Sequence, residues 1–143
     1  MAADRSANVV WQGDLQSGSG TIVSVTSGVL GGLGVSWATR SEEPNGQTSP
    51  EELIAAAWAS CYSMALSGAL GRAETPPERL EVSATVTLVP GEGITKGVLK
   101  VRGTVPGLDA DGFRAAAEDA KENCPVSKAL AGIPDVALDA DLA

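Results

Sequence analysis

Apolar and polar residues alternate without a break along residues 80–88, with Leu80, Val82, Ala84, Val86 and Leu88 set against Glu81, Ser83, Thr85 and Thr87. A period of two predicts a strand with one buried face. Pro90-Gly91-Glu92-Gly93 is a turn, and residues 94–105 return as a second strand. Leu99, Val101 and Val105 line one face of that strand, and Lys100, Arg102 and Thr104 the other, so the two runs form a hairpin. The same alternation returns at the end of the chain, where Val136, Leu138, Ala140 and Leu142 interleave with Asp135, Ala137, Asp139 and Asp141. Residues 8–13 and 20–26 read as short strands around a Gly/Ser turn, and residues 35–40 as a third.

Helical signals fill the gaps. Ser49 can N-cap a helix, Pro50 suits its first position and Glu52 closes a capping box. That helix runs to about Leu70, where Gly71 and Pro76-Pro77 end it. Asp109 caps a second helix reaching about Asn123, with Phe113, Ala116, Ala117 and Ala120 as its apolar stripe. Cys124-Pro125 opens a short third helix that Gly132 stops. The order is three short strands, helix, hairpin, helix, strand: an α+β fold with an antiparallel sheet, in one domain spanning residues 1–143.

The first long helix is unusual. Residues 53–70 hold no charge over 18 positions, enough to span a bilayer. Yet the stretch contains six Ala, three Ser and one Gly, preceded by Glu51 and Glu52, and Ala and Ser contribute little to insertion. A helix apolar all round is otherwise the centre of something. One small domain can hardly surround it, so burial by a second subunit, as a homodimer, is the expectation, with no membrane partner.

Composition narrows the chemistry. The chain of 143 residues has no histidine and two cysteines. That excludes Ser-His-Asp and Cys-His catalysis, His-bearing zinc sites and four-cysteine clusters within one chain; no metal and no cofactor are expected. A net charge of -8 argues against nucleic acid as a partner. Gly31-Gly32-Leu33-Gly34 lacks the Lys and the strand-to-helix context of a phosphate loop. Residues 1–13 show no basic stretch followed by an apolar run, which points to the cytoplasm.

There, two cysteines are catalytic, redox-active or inert rather than structural. Cys61 falls inside the long helix beside Ile54, Ala57, Trp58, Met64 and Ala65. By itself it reads as a small buried hydrophobe, with a thiol that apolar surroundings keep protonated. Cys124 stands at a helix start, where free amides and the helix dipole stabilise a thiolate, so it is the more activated of the two on local grounds. The cysteines are 63 residues apart and fit a thiol redox cycle in which one attacks and one resolves.

Residues 48–66, Thr48-Ser49-Pro50-Glu51-Glu52-Leu53-Ile54-Ala55-Ala56-Ala57-Trp58-Ala59-Ser60-Cys61-Tyr62-Ser63-Met64-Ala65-Leu66, with Cys124-Pro125-Val126-Ser127-Lys128 further on, resemble the OsmC/Ohr family of osmotically inducible and organic hydroperoxide resistance proteins, the OsmC branch in particular. The resemblance extends to Trp11-Gln12-Gly13-Asp14, Ser27-Gly28-Val29-Leu30 and Val105-Pro106-Gly107-Leu108-Asp109. It implies an antioxidant, thiol-dependent peroxidase that reduces organic hydroperoxides and, more weakly, hydrogen peroxide. It also implies an intertwined homodimer with two sheets wrapped around paired central helices. Under it Cys61 is the attacking cysteine and Cys124 the resolving one, Arg40 activates the attacking thiol and Glu51 pairs with Arg40. Trp58 replaces the His or Tyr frequent in the family and falls beside the peroxide pocket. An external dithiol, with dihydrolipoyl groups suggested by related proteins, resets the cycle. The rival reading is non-catalytic: a dimeric redox sensor, or a protein holding a small apolar ligand.

Overall fold

The computed structural model describes all 143 residues, which divide into two compact units, Met1–Leu53 and Ile54–Ala143. In the first unit β1 (Ala7–Gln12), β2 (Ser19–Val25) and β3 (Leu33–Val35) form an antiparallel sheet in the order β1-β2-β3. The turn between β1 and β2 is built by Asp14, whose carboxylate accepts from the amides of Gln16 and Ser17 and from the Ser17 hydroxyl. Gly13 there adopts φ +90°, open only to glycine without strain.

The expected strand over residues 35–40 stops at Val35, because a helix starts there. Ser36 and Thr39 cap a short α1 (Trp37–Ser41) reciprocally: the Ser36 hydroxyl accepts from the Thr39 amide at 3.2 Å, and the Ser36 amide donates to the Thr39 hydroxyl at 3.1 Å. These two caps outweigh the strand propensity of Val35, Trp37 and Thr39.

The long helix α2 (Pro50–Arg72) begins as the sequence predicts, with the Ser49 hydroxyl accepting from the Glu52 amide at 3.1 Å. Its capping box is only half closed: the Glu52 carboxylate accepts from the Thr48 hydroxyl at 2.8 Å instead. Length and apolar character would let α2 cross a bilayer, but its role in the second unit is that of a core helix. Trp58, Tyr62, Leu66 and Leu70, each four residues after the last, are all buried. They meet Leu99, Val101, Val105, Phe113, Ala117, Ala120 and Cys124 in one cluster. Burial of side chains of this size contributes about 1.5–3 kcal/mol each. The Tyr62 hydroxyl, carried into that core, donates to the Ala117 carbonyl at 2.9 Å.

The rest of the core comes from a second three-stranded sheet of β4 (Arg79–Val89), β5 (Gly93–Thr104) and β6 (Asp135–Leu142), and from α3 (Ala110–Asn123) and α4 (Pro125–Ala129). The hairpin β4–β5 is antiparallel, as two strands joined by the short Pro90–Gly93 turn must be. The α+β class is as expected, but the single antiparallel sheet is not what forms. There are two sheets, and β6 runs parallel to β5. Between β5 and β6 the chain passes through α3 and α4, and such a crossover returns it in the same direction. Asp109 caps α3 through the Gly112 amide at 2.7 Å. Asp135, Asp139 and Asp141 stand on the solvated side of β6, facing Lys96, Arg102 and Arg114.

Two glycines in β5 have a packing purpose. A Cβ on Gly103 would lie 2.6 Å from the Phe113 ring, and one on Gly97 2.7 Å from the Trp58 ring. Each aromatic rests directly on the strand backbone. Gly103→Ala therefore displaces Phe113 and destabilises the fold by about 1–3 kcal/mol. Denaturant midpoints measure this, and an unchanged midpoint would show that Phe113 does not depend on the contact.

Candidate functional site

In the first unit, Arg40 stands in the last turn of α1 and Glu51 in the first turn of α2. The capping of α1 by Ser36 and Thr39 fixes the turn that carries Arg40, and Thr39 is tied to Gln47 through its hydroxyl at 3.1 Å. The Arg40 guanidinium engages the Glu51 carboxylate through Nε, 3.1 Å from both oxygens, and through Nη2, 2.7 Å from Oε1. Glu51 is 7% exposed, so a buried carboxylate has one charged partner held in a planar fork. The hydrogen bond to Glu51 raises the pKa of Arg40 further above its ordinary value, against a smaller opposing effect of burial. With Nε and Nη2 engaged, Nη1 is left for another acceptor.

In the second unit the two free cysteines come together. Cys61 lies on the flank of the buried stripe of α2, three residues after Trp58, and is partly exposed. Cys124 is 0% exposed and ends α3 while standing at the N-cap of α4. Their thiols are close neighbours. Burial pushes the Cys61 thiol up, as does the neighbouring Cys124, against the lowering effect of the Val126 amide. Burial also pushes Cys124 up, but the Ser127 amide, the Cys61 thiol, the Ser127 hydroxyl and the Val126 amide together outweigh it. The Cys124 thiol is thus the more acidic. The Cys124 side chain makes no cap hydrogen bond at the start of α4. The local reading of the sequence expects Cys124 to be the better stabilised thiolate, and the direction of its shift agrees, although the expected cap bond is not formed.

Trp58 is 1% exposed, and its indole N–H donates to the Ser127 hydroxyl at 2.8 Å. Its edge forms part of an open cleft of about 470 Å³, walled by Ser127, Lys128, Leu130, Ile133 and Val136 among others. Of the residues singled out from sequence, the structure thus pairs Arg40 with Glu51 in one unit, and Cys61 with Cys124 in the other. Ser127 escaped notice there. Its signal was present: it is the third residue after Cys124, where an N-cap side chain meets backbone amides.

A family model described as OsmC-like protein matches residues 43–139. The chain is 44% identical over 133 residues to the peroxiredoxin OsmC of Escherichia coli (strain K12), covering 91% of this chain and 92% of that protein. It is 36% identical over 104 residues to the organic hydroperoxide resistance protein OhrA of Bacillus subtilis (strain 168), covering 70% of this chain and 72% of that one. Among solved structures, a Legionella pneumophila organic hydroperoxide resistance protein OsmC superposes with a TM-score of 0.68 at 25% identity, over 95% of this chain and 96% of that one.

The Arg40–Glu51 pair predicts a coupled response. Arg40→Met leaves the Glu51 carboxylate buried without its partner and destabilises the fold by about 1–3 kcal/mol. Adding Glu51→Gln removes the stranded charge and recovers part of that loss. Denaturant unfolding of the wild type, both single variants and the double variant measures the coupling. Strictly additive effects would show that the pair is not a unit.

Proposed function

The chain belongs to the OsmC-like family, and on that premise we propose that it is a cysteine-based peroxidase that reduces organic hydroperoxides, and more weakly hydrogen peroxide, through Cys61 and Cys124. The observation that carries this is the meeting of two free thiols, one reachable and one sealed. Only Cys61 is open to an incoming peroxide. Higher identity to the peroxiredoxin OsmC than to OhrA supports the OsmC branch, and the names of both relatives support a role in oxidative stress.

The Cys61 thiolate attacks the distal oxygen of the hydroperoxide. The O–O bond breaks, the alkoxide takes a proton to leave as an alcohol, and sulfur keeps the oxygen as a sulfenic acid. Cys124 is already in contact. Its thiolate attacks the Cys61 sulfur, the S–O bond breaks, the departing hydroxide is protonated to water and an intramolecular disulfide remains. An external dithiol, of which dihydrolipoyl groups are the favoured kind, reduces that disulfide and returns both thiols.

Attack requires negative charge on Cys61, whereas the second unit alone favours it on Cys124. In this reading Arg40 supplies the missing cation. Its charge is permanent, its geometry is set by Glu51, and its free Nη1 suits a thiolate or a peroxide oxygen. Trp58 borders the substrate pocket. Residues 1–143 act as one domain, in the cytoplasm, and the working molecule is a homodimer. Support for the dimer comes from α2, whose opposite face exposes Ala56, Ala57 and Met64, the last 71% exposed. Val9, Val10 and Trp11 of β1 are exposed as well. Apolar surface of this kind is a candidate for burial by a second copy.

Two measurements test the proposal. With a stoichiometric organic hydroperoxide, the wild type converts two free thiols per chain into one intramolecular disulfide, seen by thiol alkylation and mass. Cys61→Ser removes turnover to below about 1% of wild type, a loss of several kcal/mol in barrier. Cys124→Ser instead stops after one oxidation, at a sulfenic acid that a dimedone-type reagent traps. Persistent turnover in Cys61→Ser would reverse the assignment of roles, and unreacted thiols in the wild type would leave a non-catalytic protein. For assembly, sedimentation at micromolar concentration should return twice the chain mass of 14.4 kDa. A stable folded monomer would refute the dimer.

A further inference from the structure

The loop between α1 and α2 carries a reactive dipeptide, Asn45-Gly46. Pro44 to Gln47 form a tight turn closed by the Gln47 amide on the Pro44 carbonyl at 2.9 Å, with φ +47° at Asn45 and +76° at Gly46. Positive φ at both central positions suits Asn followed by Gly. Both residues are exposed. The side-chain bonds of the loop fall on Gln47, Thr48 and Ser49, not on Asn45, and the Gly46 amide donates to no carbonyl. Nothing lies within 4 Å of the place a Gly46 Cβ would take. An unbonded carboxamide is thus followed by an unbonded, unshielded amide. No other position combines these features. The Asn8 carboxamide donates to Ser24 and that of Asn123 to Asp119, and each precedes a residue with a side chain. At Asp111-Gly112 the glycine amide is committed to the Asp109 carboxylate at 2.7 Å.

We propose that Asn45-Gly46 is a site of spontaneous covalent modification, where isoaspartate forms and loosens the turn that sets Arg40 against Glu51. The Gly46 nitrogen attacks Cγ of Asn45. The new N–Cγ bond closes a five-membered imide, the Cγ–Nδ2 bond breaks, and ammonia leaves with the proton that Gly46 gives up. Water then opens the imide at either carbonyl. One product is aspartate; the other is isoaspartate, in which the main chain runs through Cβ. No oxidant or reductant takes part. Attack requires rotation about the Asn45 Cα–C bond, which the single bond from Gln47 to Pro44 resists and the open space around Gly46 permits. The site stands where a change in chain length matters. Isoaspartate adds a methylene to the segment joining Arg40 and Glu51, in which Gln47 accepts from the Thr39 hydroxyl at 3.1 Å. Thr39 in turn caps the helix whose last turn carries Arg40. Both products also place a new carboxylate in a loop that already holds Glu42 and Glu43.

The site lies in the first unit alone, so it stands or falls apart from the reaction of the cysteines. The intact wild-type chain is aged at mildly alkaline pH and physiological temperature with its thiols kept reduced. It is then digested, and the peptides are weighed and assayed with an isoaspartate-specific methyltransferase. Residue 45 should lose its carboxamide nitrogen at least about tenfold faster than Asn8 or Asn123, a modest difference in barrier. The rate should rise with pH, because the attacking nitrogen must give up its proton. Asn45→Gly keeps a residue at ease with positive φ and removes the carboxamide, so it should form no isoaspartate there. Conversion of Asn45 no faster than that of Asn8 and Asn123 overturns the site, and so does conversion seen only after unfolding in guanidinium. The effect on the ion pair is read separately. Aged wild type should unfold at a lower denaturant concentration than the fresh chain, and aged Asn45→Gly should not. The fall should shrink in a chain that also carries Arg40→Met and Glu51→Gln, where there is no pair left to loosen. An unchanged midpoint in the aged wild type, or an equal fall in the chain without the pair, overturns the link to Arg40.

Discussion

The buried stripe of α2 is the constraint on which the second unit depends. Trp58, Tyr62, Leu66 and Leu70 recur every four residues and leave solvent together. Once they do, the remaining positions have little freedom. Leu99 and Val101 must face them from β5, and Phe113, Ala117 and Ala120 from α3. The small residues of α3 admit the helix, and Gly97 and Gly103 admit the aromatic rings. The same packing determines what Cys61 can do. A residue three positions after Trp58 falls beside the stripe rather than within it, so its thiol touches the core on one side and remains open on the other. Cys124, arriving at the end of α3, is drawn fully inside.

Charge is distributed on a different principle in each unit. Along β5 and β6 the parallel register sets Lys96 opposite Asp135, Lys100 opposite Asp139 and Arg102 opposite Asp141. Those side chains are well exposed, and pairs of that kind contribute roughly 0–1 kcal/mol. They favour one register of a parallel edge over another more than they stabilise it. The Arg40–Glu51 pair is of another kind. Its carboxylate is buried and three guanidinium contacts hold it. Desolvating a carboxylate for stability alone is poorly repaid, which fits a pair kept for the orientation of the arginine.

Much of this was legible in the sequence, for identifiable reasons. Strict alternation in residues 80–88 and 136–142 marks strands wherever they pair, and Ser49-Pro50 and Asp109 mark helix starts whatever the helices touch. The direction of β6 was not legible, since alternation is the same in parallel and antiparallel pairing. Neither was the split into two sheets, which depends on contacts distant in sequence. Helix α1 was missed because Val35, Trp37 and Thr39 carry strand propensity, although Ser36 and Thr39 stand at capping-box spacing. In the site, the cysteine and Arg40–Glu51 assignments came from the resemblance, and the sequence around them shows no contact. The acidity of Cys124 was legible in part, because the Ser127 and Val126 amides that follow it in the chain favour it, whereas the effect of Cys61 depends on a contact distant in sequence.

That acidity gives the proposed cycle its internal logic. Acidity and access are separated: the thiol that amides and a hydroxyl stabilise is the one no substrate can reach, and the thiol open to substrate is held protonated by burial and by its neighbour. A peroxide entering such a site meets a weak nucleophile. The imbalance between these neighbouring sulfurs is reversible, because one proton moved from one to the other exchanges the roles. A cation near the reachable sulfur would favour that exchange, and a permanent guanidinium can do so at any pH the fold survives. After attack the preference of the second unit becomes useful. With oxygen on Cys61, charge returns to Cys124, the sulfur best built to hold it, and the resolving thiolate is formed in contact with its target.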